Sequence, residues 1–205
     1  MNAARSRLND SVAALLLLSA MLGHADTAFA QQHTLVFFGG AAIALGMHEA
    51  GHLVFDAAFD ASPGFKKVSF GPIPFFAITH RAVSPVREFT ISSAGFWVQH
   101  ATDELLLRSP RLRQGGHALS KGMFAFNVLS SVAYAGAAFA RTGPAERDTR
   151  GMAVSADVPE PTIGVLILAP AATDTVRYFR PQWTWAKWAG RASKMGGVLL
   201  LLKAR

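Results

Sequence analysis

Apolar residues in this chain gather into long, nearly unbroken runs instead of alternating with polar ones. The first full-length run covers residues 34–59, and its only ionisable groups, His48, Glu49, His52 and Asp56, fall in its second half. About 20 apolar residues in a helix cross a bilayer, so this run predicts a membrane span. Three more runs follow at 88–107, 119–140 and 161–179. Together they predict an all-α membrane protein, a bundle of about four transmembrane helices.

Between the first two runs the pattern changes. Pro63, Gly64, Gly71, Pro72, Pro74 and Pro85 exclude a long helix over residues 61–86. Alternation at 67–70 and 75–78 predicts two short strands, a β-like hairpin directly after the first helix. Residues 141–160 read as a polar loop, with Ser155 placed to open a short helix. The tail mixes Trp183, Trp185 and Trp188 with Lys187, Arg191 and Lys194, a composition that favours a headgroup interface. Its last apolar stretch, 198–202, is too short to span.

The beginning of the chain has a different grammar. Arg5 and Arg7 precede an apolar run at 12–22, and Thr-Ala-Phe-Ala at 27–30 has the small-x-small form of a signal-peptidase site. The expected organisation is a signal peptide over 1–30 and one membrane-embedded domain over 31–205.

Composition agrees with lipid as the solvent. Charged residues are 16% of the chain against about a quarter in soluble domains, while 51% are hydrophobic. The net charge of +7 would suit nucleic acid, but the Lys and Arg residues are spread among the ends of apolar runs, as in membrane proteins. The expected partners are therefore membrane lipid and no nucleic acid, and the expected location is a cell membrane, of the bacterial inner-membrane kind, crossed several times. Cysteine is absent, which excludes disulfides, thiolate metal sites and a cysteine nucleophile.

The ionisable cluster in the first run carries the chemistry. His48-Glu49-Ala50-Gly51-His52 is an HExxH sequence. Residues four apart share one helix face, so the two imidazoles can bind one Zn2+ at about 2.0–2.1 Å. Glu49 stands beside them as a base for a water whose pKa zinc lowers from about 15.7 to near 7. With seven His and five Glu in the chain, about 0.006 such matches arise by chance. Ionisable groups in an apolar span are costly, which makes them functional candidates. A third protein ligand is needed, and His100, Asp103, Glu104 and Asp174 are the candidates. Asn127 reads as a helix-packing group, Arg177 and Arg180 as interfacial anchors, and His80 and His117 as solvated.

An apolar helix bearing Met-His-Glu-Ala-Gly-His, a Gly/Pro-rich segment, Ser92-Ser93-Ala94-Gly95-Phe96-Trp97-Val98-Gln99 and a distal aspartate resemble the site-2 protease family of intramembrane zinc metalloproteases. The resemblance implies His48, His52 and Asp174 as zinc ligands, Glu49 as catalytic base and Gln99 as a substrate-positioning group. Asp103 or Glu104 stands in reserve for the third ligand. It implies a zinc-dependent hydrolase of peptides or transmembrane proteins. Phe96 stands where the family has Pro, Gln99 where it has Asn, and Asp174 lacks the usual flanking Leu and Gly. The alternative is a non-catalytic membrane protein of the same fold with a structural or vestigial metal site. A metal-dependent hydrolase of lipids or other small substrates is a third reading.

Overall fold

The computed structural model describes residues 32–70, 73–114 and 117–204, which form seven helices and one two-stranded sheet. The expected signal peptide lies outside the described residues. Helix α1 (Gln32–Ala58) is apolar enough to cross a membrane. At its end Ala61 N–H donates to the Asp56 carbonyl, and Asp60 and Ser62 adopt left-handed φ of 52° and 56°. The chain then forms the antiparallel hairpin β1 (Gly64–Phe70) and β2 (Ile73–Thr79), with Val68 opposite Phe75. The alternating pattern predicted this pair.

Pro85, tolerated in a first helical turn, opens α2 (Pro85–Arg108). This helix is not among those apolar enough to span, because Arg87, Glu88, Asp103, Glu104 and Arg108 interrupt it. Protein covers it instead of lipid: Phe89 through Phe96 are buried without a break. A short α3 (Pro110–Gln114) leads to α4 (Ala118–Ala140), the second helix that meets the criteria for a span. Next come α5 (Asp148–Ser155) and α6 (Glu160–Phe179), bent by 119° at their junction, which together pass the same test. The described residues thus contain two helices able to cross a membrane, or three if that bent pair is one span. The count of four is not reproduced.

α7 (Thr184–Lys203) packs on α6 and continues the tail into a helix. Ser155 closes α5 instead of opening a helix, and Asp157 at φ 50° turns the chain toward α6. The core joins Phe89 and Phe96 of α2, Met152 and Ala153 of α5, and Ile163 and Ile167 of α6.

Two glycines let α1 and α4 approach until backbones touch. A Cβ on Gly40 would overlap the Leu119 carbonyl oxygen, and one on Gly122 would overlap that of Phe37. Small residues at a crossing allow this proximity where lipid supplies no hydrophobic drive between helices. The outward faces keep large apolar groups bare, including Leu35 and Phe38 of α1 and Leu129 and Phe139 of α4.

Candidate metal centre

His48 and His52 lie one turn apart on α1 and face inward, 2% and 5% exposed. The His52 Nδ1–H donates to the Ile91 carbonyl of α2 at 2.7 Å. That bond fixes the tautomer and leaves the Nε2 lone pair free to bind a metal. The His48 ring lies against the bare backbone of Gly95, whose missing side chain is the space it occupies. The Phe96 ring meets His48 edge-on at 5.4 Å, and the Tyr134 ring of α4 stacks on it at 5.8 Å.

The third member comes from the loop read as polar. Asp148, the first residue of α5, turns its Oδ2 toward both imidazoles, 3.4 Å from His48 Nε2 and 3.6 Å from His52 Nε2. The two Nε2 atoms are 3.3 Å apart. A tetrahedral ion with bonds of about 2.0–2.1 Å separates its ligand atoms by about 3.3–3.4 Å. Good N–H···O bonds are shorter, at about 2.7–3.2 Å. The triangle therefore suits a shared cation better than direct hydrogen bonding. His48, His52 and Asp148 form a group that could hold a metal ion, with three protein ligands and one side open.

Local chemistry explains why Asp148 is there. Arg147, just ahead of α5, makes a two-pronged ion pair with Glu160 at the start of α6, both prongs 2.7 Å. The Thr149 hydroxyl donates to the same carboxylate at 2.7 Å. These bonds clamp the residues on either side of Asp148. The positive end of α5 also favours a carboxylate there. Met152, Ala153 and Ala156 repeat at helical spacing and seat α5 in the core. That stripe, preceded by an acidic residue, was the available sequence signal for Asp148.

The group opens onto a cavity of about 700 Å³ lined by Glu49, His52, Tyr134 and Asp148 and also by Ala77–Thr79 of β2 and the His80 that follows it. Glu49 reaches this cavity without joining the metal group. Further along, Glu146 pairs with Lys66 of β1 at 2.6 Å, and that hydrogen bond holds its carboxyl below the usual range. His80 also lines the cavity, its ring 3.5 Å from Glu88, and so is not the solvated loop residue the sequence suggested.

The other expected site residues lie elsewhere. Asp174 is fully buried in an ion cluster, 2.8 Å from Arg177 Nη1 and 2.6 Å from Lys194 Nζ. Glu104 joins the same cluster through Arg177 and Arg191, each at 2.7 Å. Arg177 is 6% exposed and is an internal counter-charge, not an interfacial anchor. Asp103 accepts a 2.7 Å bond from Asn127 of α4. Gln99 is buried and donates to Ser130 at 2.8 Å. None of these is in the histidine group, whose acid is Asp148.

Gly95→Ala should test the packing around the pair. Its methyl would fall inside contact distance of three His48 ring atoms, and α2 is buried on that side. The expected cost is about 1–3 kcal/mol of stability together with weaker metal binding, read by thermal unfolding and chelator competition. Wild-type metal affinity in that variant would contradict this packing.

Compared with protein-family models, with curated proteins and with solved structures, the chain matches none.

Proposed function

We propose that this chain is a zinc-dependent peptide hydrolase working at or within a cell membrane that it crosses more than once. Its substrate is a peptide or a transmembrane protein, and its resemblance is to the site-2 proteases. The observation that carries the reading is the tetrahedral-edge spacing of His48, His52 and Asp148 beside the carboxylate of Glu49. Two neutral imidazoles and one carboxylate are a donor set that zinc accepts with a fourth position open for chemistry.

When bound, zinc supplies Lewis acidity, polarising a carbonyl and making a water acidic near pH 7. The remaining steps belong to the chain. Glu49 takes a proton from the attacking water and returns it to the leaving amine, as general acid–base catalysis requires. The His52 bond to Ile91 holds one ring in its ligating tautomer. Tyr134, Phe96 and Gly95 hold the other. β2 pairs with β1 on one edge and lines the cavity with Ala77–Thr79, so an extended peptide can add along it. An extended substrate is required, since a helix hides its carbonyls in internal hydrogen bonds.

A chelator should abolish cleavage of an unstructured peptide by the detergent-solubilised protein. Stoichiometric zinc should then restore it. Cleavage that survives complete metal removal would overturn the proposal. The second reading, a non-catalytic membrane protein with a structural metal, draws support from Gln99, which is buried away from the cavity lining and donates to Ser130. It predicts bound metal without cleavage in the same experiment.

A further inference from the structure

Among the described residues, four carboxylates line the cavity beside the metal group, and three of them are committed elsewhere. Asp148 belongs to the metal group, Glu49 is the proposed base, and Glu146 is paired with Lys66 at 2.6 Å. The fourth is Glu88, in the first turn of α2. Its Oε1 accepts the Ser92 hydroxyl at 3.0 Å, and its Oε2 lies 3.5 Å from His80 Nε2. His80 is a poor partner there. Its Nδ1–H donates to the Arg81 carbonyl at 2.9 Å, so in the neutral ring Nε2 turns a lone pair toward the carboxylate. The separation also exceeds the roughly 2.7–3.2 Å of a good hydrogen bond. Arg147 is the one Lys or Arg among the described lining residues, and its guanidinium is held by Glu160. Glu88 thus meets the cavity without a fixed Lys or Arg beside it, its side chain 29% exposed.

We infer that Glu88 is a specificity-determining residue, recognising a Lys or Arg side chain of an otherwise apolar peptide. This inference rests on the hydrolase reading of the cavity, which makes its occupant a peptide. The position of Glu88 suits the role. Ile91, three residues on and therefore on the same helical face, accepts the bond that orients the His52 ring. Glu88 stands about one turn along α2 from that support of the metal group. The walls around it, among them Val68, Ile78, Ile91 and Phe126, are apolar. Lys and Arg carry long aliphatic stems that lie along such walls while the charged end reaches a polar group. A charge-assisted hydrogen bond between that end and a carboxylate is roughly twice as strong as a neutral one, and the apolar surroundings strengthen it further.

The test compares apolar peptides blocked at both ends, each with a single lysine at one position, with the same peptides carrying norleucine there, which lacks the ammonium. With the full-length, detergent-solubilised protein the best lysine peptide should exceed its norleucine twin about 10- to 100-fold in kcat/KM. Glu88→Gln keeps an acceptor for Ser92 and loses the charge, so that ratio should fall to about one. Glu88→Lys should move the preference to a glutamate at the same position. Binding of the same peptides to the metal-free protein, read by fluorescence polarisation, should follow the same order. Equal cleavage of both peptides by wild type, or a lysine preference that survives Glu88→Gln, would overturn this inference and leave the hydrolase reading standing. Lysine-selective, Glu88-dependent binding without cleavage would overturn the hydrolase reading and leave the recognition of a cationic side chain. Neither cleavage nor selective binding would overturn both.

Discussion

Glu49→Gln should leave metal content and thermal stability at wild-type values while lowering peptide cleavage by about 10²- to 10⁴-fold. Three features set this expectation. Glu49 lines the cavity that Asp148 and His52 also line, which is where the proposed reaction would place a substrate carbonyl. It stands outside the group of three ligand atoms, so its loss removes no metal bond. Gln matches Glu in size and keeps a carbonyl acceptor but cannot take a proton. The measurement is turnover of a fluorogenic peptide beside metal analysis of the same preparation. Undiminished turnover would remove Glu49 from the chemistry, and lost metal would make it a ligand.

Asp174→Ala should act on the fold and not on the metal. Removing this carboxylate takes the 2.8 Å partner from Arg177 and the 2.6 Å partner from Lys194. Glu104 still holds Arg177 at 2.7 Å, but Lys194 is left only its 3.6 Å contact with the same residue. Breaking a buried ion pair from one side costs about 3–5 kcal/mol. For a domain of this size the melting temperature should fall by roughly 6–20 °C, with metal stoichiometry unchanged in the fraction that remains folded. A variant of wild-type stability that has lost its metal would restore Asp174 to the ligand set.

Most of the architecture is readable in the sequence because lipid imposes a simple rule: long apolar runs become helices. α1, α4 and α6 follow from that rule, and the hairpin follows from prolines, glycines and alternation. HExxH is legible for the same local reason, since helical spacing alone puts His48 and His52 on one face. The third member of the group is not local. Asp148 lies 96 residues beyond His52 in a polar stretch, and it reaches the site only because Arg147 and Thr149 bind Glu160 and Met152 packs into the core. Asp174 attracted the assignment because it stands where the resemblance expects a distal aspartate ligand, in an apolar helix where an acid is costly. Its cost is met instead by Arg177 three residues on and by Lys194 of α7, a pairing that only tertiary structure reveals. α2 misled as a span because Phe89–Val98 and Leu105–Leu107 are rich in apolar residues, whereas its charged ends and buried face suit the interior of a bundle.

The most direct test is metal analysis of purified wild type, Asp148→Ala and Asp174→Ala in parallel. One zinc per wild-type chain, one per Asp174→Ala chain, and affinity reduced at least about 100-fold in Asp148→Ala are the expected results. Metal retained at wild-type affinity by Asp148→Ala, or missing from wild type, would contradict the assignment of His48, His52 and Asp148 as one metal centre.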